Sequence, residues 1–90
     1  MITVHLPGDL ADKFGVPRHL PVAAGTVGEI VSVLDGRYPG IGHWLTEVDG
    51  SFRRHLSVFV AGRRLEDTDY AKRLLDEGAD VWVMRAVSGG

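Results

Sequence analysis

Each end of the chain carries a run of alternating apolar residues, and these two runs constrain the fold more than any other feature. Ile2, Val4 and Leu6 alternate with Thr3 and His5 and stop at Pro7-Gly8; Val81 and Val83 alternate with Trp82 and Met84 after the Glu77-Gly78 turn. A period of two sets one side of each run against a core, so both read as strands. Each has a strongly apolar side, which suits a central place in a sheet. If the two are neighbours they run parallel, because a long crossover separates them.

The residues between them supply that crossover. Thr26 and Glu29 have capping-box spacing: the hydroxyl can accept from the amide of the third helical residue while the carboxylate reaches back to the cap amide. Val27, Ile30, Val31, Leu34 and Tyr38 follow at intervals of three and four, an apolar stripe that needs a sheet to cover it, and Pro39 stops the helix. A short strand is predicted around 18–23, with Leu20 and Val22 inward and Pro21 tolerable only at an edge or bulge. Ile41 to Phe52 reads as a long connection with little periodicity. Leu56 to Val60 is a strong strand, Ala61-Gly62 a tight hairpin into a short edge strand at Arg63-Arg64-Leu65. Glu66 to Leu75 is turn-like, and Glu77-Gly78 leads into the final strand, Asp80 to Ala86. One main helix against a mixed sheet of four to five strands is a two-layer α+β domain, and ninety residues hold one such domain.

Composition narrows the function. Apolar residues make up 44% and charged residues 24% of the chain, ordinary for a soluble globular domain. A net charge of -2 with mixed signs removes the electrostatic case for nucleic acid or an anionic membrane as partner. No apolar stretch is long enough to span a membrane and the opening Met1-Ile2-Thr3-Val4 is not signal-like, so a cytoplasmic protein is expected. Cysteine is absent, so any sulfur chemistry must use another group. His5, His19, His43 and His55 show no metal-ligand spacing, and Ser51, Ser57 and Ser88 lack a nucleophile-elbow motif. No metal and no bound cofactor are expected.

The sequence closes Ala86-Val87-Ser88-Gly89-Gly90, directly after the last predicted strand. Two glycines without side chains can thread extended into a narrow channel that excludes any Cβ, presenting the Gly90 carboxylate. A diglycine end alone also fits a frayed terminus. Together with the strand before it and the turn Asp76-Glu77-Gly78-Ala79-Asp80, it gives a chain that resembles the β-grasp sulfur carriers of the ubiquitin-like superfamily. These include the thiamine carrier, the small subunit of molybdopterin synthase and the actinobacterial cysteine-biosynthesis carrier. The resemblance implies one β-grasp domain over 1–90 with a flexible tail at 86–90. Family members often carry proline where this chain has Arg85, and the 41–52 connection is longer than the thiamine carrier would have. Chain length and Tyr38-Pro39-Gly40-Ile41 lean towards the molybdopterin or cysteine-type carriers.

In that family an E1-like adenylyltransferase/sulfurtransferase adenylates the terminal carboxylate, here Gly90, and sulfide or a persulfide displaces AMP to leave a thiocarboxylate; Gly89 gives the clearance. An unactivated carboxylate resists attack, the adenylate is a good leaving group, and a thioacid is a strong nucleophile at neutral pH. The resemblance thus implies a carrier that is not an enzyme by itself, with ATP used by the activating partner. A downstream synthase accepts the sulfur for cysteine, molybdopterin or another metabolite. Two other uses of the tail are conjugation of Gly90 to lysines as a protein modifier and permanent insertion into a molybdopterin synthase large subunit.

If Val58 and Val60 face the helix, period two puts Phe59 on the opposite, exposed face, and the same reasoning turns Val81 and Val83 inward and Trp82 and Met84 outward. Counted from the diglycine and from Ala61-Gly62, Phe59, Trp82 and Met84 fall where ubiquitin-like proteins carry a partner-binding sheet patch. With Ala86, Val87 and Ser88 they are the expected partner contacts. The opposite parity would put Trp82 in the core. Of the basic pairs Arg53-Arg54 and Arg63-Arg64, solvated by default, the second could steer an acidic partner rim.

Overall fold

In the computed structural model, which describes residues 1–65 and 72–85, the two terminal runs are the inner, parallel pair of a five-stranded sheet. In chain order the elements are β1 (Ile2–His5), α1 (Gly8–Phe14), β2 (Leu20–Val22), α2 (Val27–Arg37), α3 (Ile41–Leu45), β3 (Leu56–Val60), β4 (Arg63–Arg64) and β5 (Asp80–Arg85). The sheet order is β2-β1-β5-β3-β4. Only β1 and β5 run parallel, with Val4 beside Val81 and His5 beside Trp82; the other pairs are antiparallel. Pro21 lies in the edge strand β2, where its missing N–H breaks no ladder.

One face of the sheet makes the core. Ile2, Val4, Val22, Val58, Val81 and Val83 are buried there beneath Val27, Ile30 and Leu34 of α2, with Val31 and Tyr38 at the margin. The Thr26 hydroxyl accepts from the Glu29 amide at 3.1 Å. The Glu29 carboxylate reaches the amide of Gly25 at 3.4 Å, one residue ahead of the cap position expected from spacing. The helix ends where the Tyr38 amide donates to the Leu34 carbonyl at 2.7 Å, just before Pro39. At the hairpin, Ala61 and Gly62 both take positive φ, 51° and 81°, the twist that a two-residue connection between right-twisted strands requires.

Two short helices depart from the expected outline. α1 fills the connection between β1 and β2: the Ala11 amide donates to the Pro7 carbonyl, Leu10 and Ala11 are buried, and Gly15 closes the helix at φ 71°. α3 turns the predicted 41–52 loop into a helical turn whose Ile41 and Leu45, four residues apart, are both buried. Asp35 secures its start by accepting from the amides of Gly40 and Gly42 at 3.2 and 3.0 Å. Before β5, the Gly78 amide donates to the Met1 carbonyl and the Thr3 amide to the Ala79 carbonyl, so the 76–80 turn is fastened to β1. Among the described residues, no helix is long and apolar enough to cross a membrane.

Candidate functional site

The parity of β3 and β5 decides what the outer face of the sheet displays. Val58, Val81 and Val83 point into the core, so Trp82 and Met84 point outward, 43% and 46% exposed. Phe59 lies directly across from Trp82 on β3, and Met84 lies across from Ser57. Phe59 is half-buried rather than fully exposed because it is flanked on both sides by neighbouring strands. Arg64 of β4 lies across from Phe59, which puts one member of the second basic pair at the rim of the patch. Three aromatic and thioether side chains with a cationic edge form a surface suited to docking another protein.

Sequence reasoning missed what lies beneath Trp82. His5 has the outward parity of β1 but is only 6% exposed, because the Trp82 indole lies flat on its ring at a centroid distance of 3.9 Å and an interplanar angle of 9°. His5 Nε2 is 3.1 Å from Asp80 Oδ1, and His5 Nδ1 is 3.0 Å from His19 Nδ1, the two imidazoles meeting edge to face. Among the described residues every buried side-chain polar atom has a hydrogen-bond partner. The signal lay in the register: Thr3 pairs with Pro21 and Val4 with Leu20, so one step further sets His5 opposite His19. Beside this cluster runs a cleft of about 440 Å³ lined by Leu6, Ala11, Val16, Arg18, His19 and Trp82 among others.

The last residue of β5 is Arg85. Its Nε donates to Asp9 Oδ1 at 3.2 Å and its Nη2 donates to Asp9 Oδ2, so a bidentate pair ties the strand's last described residue to the first turn of α1. The guanidinium holds the Asp9 carboxyl below the usual carboxylate range, and the carboxylate in turn raises the arginine. Ala86, Val87, Ser88, Gly89 and Gly90 lie outside the described residues. The first basic pair divides: Arg53 donates to the His43 carbonyl and to Glu47, while Arg54 is exposed. A hollow of about 570 Å³ between α2 and α3 is lined partly by this engaged Arg53 and by Asp35 and His43. Among the described residues no group of three or more His, Asp or Glu side chains is placed to hold a metal.

A parallel central pair, one capped main helix and an open outer face leading to the chain end define a ubiquitin-like β-grasp protein. The chain belongs to the ubiquitin-like family of sulfur carriers and small modifiers: it is 35% identical over 65 residues to small archaeal modifier protein 3 of Haloferax volcanii, spanning 72% of this chain and 70% of the relative. Solved structures agree on the fold. The BexX/CysO complex of Amycolatopsis orientalis contains a chain that superposes with a TM-score of 0.85 at 23% identity, covering 100% of both chains. CysO of Mycobacterium tuberculosis superposes with the same score at 22% identity, over 97% of this chain and 100% of its own. No protein-family model matches the sequence.

Proposed function

We propose that this chain is a sulfur carrier that works through Gly90. An E1-like partner joins the Gly90 carboxylate to AMP with release of pyrophosphate from ATP. Sulfide then attacks the acyl carbon and AMP leaves, or the terminal sulfur of a persulfide does so to give an acyl disulfide that a second thiol cleaves with formation of a disulfide; either way a thiocarboxylate remains for a sulfur-accepting synthase in cysteine, molybdopterin or related biosynthesis. The carrier contributes no acid, base or bound cofactor to these steps and acts in the cytoplasm. The observation that carries the reading is the outer-face patch: exposed Trp82 and Met84 on the strand that precedes Ala86-Val87-Ser88-Gly89-Gly90 in the chain, with half-buried Phe59 across from Trp82 on β3. One docking surface then serves both to recognise the partner and to aim the tail.

Incubation with an E1-like enzyme, ATP and sulfide tests this. The chain should gain the mass difference between sulfur and oxygen, localised to Gly90, and should then react with a thiol-selective alkylating reagent; with no cysteine in the chain, no persulfide can mimic that mass. AMP formation without any thiocarboxylate would sink sulfur carriage. A second reading, conjugation of the activated Gly90 to lysines, is favoured by the similarity to a small archaeal modifier protein. Isopeptide-linked adducts ending in the Gly89-Gly90 remnant would identify it.

A further inference from the structure

The strand that precedes the tail is held unevenly. The β1–β5 register ends at His5 beside Trp82, where Pro7-Gly8 turns the chain into α1, but the β3–β5 register runs on to Leu56 beside Arg85. Val83, Met84 and Arg85 therefore have a strand on one side only. Of the three, Val83 is sealed in the core, while Met84 and Arg85 are exposed. A strand end paired on one side and without buried side chains is where opening begins.

On the open side a side-chain contact stands where the ladder stops. Asp9, in the first turn of α1, accepts from both Nε and Nη2 of Arg85. This planar fork is the geometry in which an exposed ion pair is most effective. The hydrogen bond from the guanidinium holds the Asp9 carboxyl below its ordinary range, so the pair stays ionised at neutral pH. Five residues, Ala86 to Gly90, follow Arg85 in the sequence, a reach of at most about 17 Å from the clasp.

We propose, on the basis of the carrier reading, that Asp9 and Arg85 are positioning residues for the activation of Gly90: their pair fixes the point and direction in which the tail leaves the sheet. Docking through Trp82 and Met84 sets where the domain sits, and the pair sets where the carboxylate arrives. With the pair broken, Arg85 joins the tether, which grows from five residues to six while Met84 stays on the docking face. Length alone lowers the local concentration of the carboxylate by only about a quarter. Loss of the fixed exit direction is the larger effect.

The test combines KM and kcat for pyrophosphate exchange by an E1-like enzyme, measured where every variant is fully folded, with hydrogen exchange of the amides at 83–85. Asp9→Asn and Arg85→Gln should each lower kcat about two- to fivefold, within the reach of one exposed ion pair, and leave KM unchanged. The charge-reversed pair, Asp9→Arg with Arg85→Asp, should return kcat towards the parent value. Amides at 83–85 should exchange faster in both single variants and recover in the reversed pair. A loss in Arg85→Gln that Asp9→Asn does not share and charge reversal does not repair would make the arginine a direct partner contact and overturn the proposal. An unchanged kcat in both single variants, a change carried by KM alone, or unaltered amide exchange overturns it as well. Each of these results leaves sulfur carriage standing. Absence of any activation of the parent fails the carrier reading and this inference with it.

Discussion

Trp82→Ala separates the two things this indole does. Trp82 is 43% exposed, so about 140 Å² of a roughly 250 Å² side chain is covered, mostly by His5 and by cross-strand neighbours. At about 25 cal/mol/Å² that burial is worth about 3.5 kcal/mol. An extended-chain reference overstates it by roughly 10–40%, and the alanine methyl keeps part of it, which leaves about 2 kcal/mol of lost stability. For a domain of this size the midpoint should fall by about 10 °C. Partner docking should weaken by a further 1 to 3 kcal/mol, on the order of a hot-spot aromatic, when measured where the variant is fully folded.

Urea and thermal unfolding of Trp82→Ala, His5→Ala and the double variant make the assay. The cycle should return a coupling energy of about 0.5 to 1.5 kcal/mol for the stacked rings. Trp82→Phe, which retains a ring over His5, should recover much of the stability. A loss below about 0.5 kcal/mol for Trp82→Ala would refute the stack as a stabilising contact, and a loss above about 4 kcal/mol would assign the indole to the core.

Thr26→Ala removes the oxygen that accepts the Glu29 amide and should cost about 1 kcal/mol in urea unfolding, with faster exchange of that amide. Ala61 holds φ 51°, which costs an alanine about 1 kcal/mol, so Ala61→Asn should raise the midpoint for thermal unfolding. Because Arg85 lowers the Asp9 carboxyl in the folded state, the pair's contribution is present above the ordinary aspartate range and is lost as pH falls through the lowered value; acid unfolding of Asp9→Asn should lack that component. Gly89→Ala should abolish pyrophosphate exchange with an unchanged unfolding midpoint, since the added Cβ obstructs a narrow channel.

What was legible in the sequence was what local spacing encodes. The alternation of Val81 and Val83 with Trp82 and Met84 gave the right faces, the Thr26 to Glu29 spacing the start of the main helix, and Ala61-Gly62 the hairpin. α1 was hidden because seven residues make barely two turns, too few for Leu10, Ala11 and Phe14 to establish a period against Gly8 and Asp9. α3 is shorter still, and its two buried residues are a single i, i+4 pair. The His5 cluster was hidden for a different reason. His5, His19, Asp80 and Trp82 come from three separate strands or their flanks, and only the register of two ladders brings them together.

That register makes β5 the hinge between folding and binding. Asp80 holds His5, Trp82 covers it and Met84 extends the patch, while Val81 and Val83 on the same backbone are sealed in the core. A slip of one residue would exchange the two sets, burying the carboxylate and indole and exposing the valines, so the inner valines are what specify the outer face. The two kinds of defect are therefore distinguishable. Loosening the inner face, as by Val83→Ala, should reduce docking only in proportion to the unfolded fraction, whereas changes at Trp82 or Met84 should reduce it in molecules that remain fully folded.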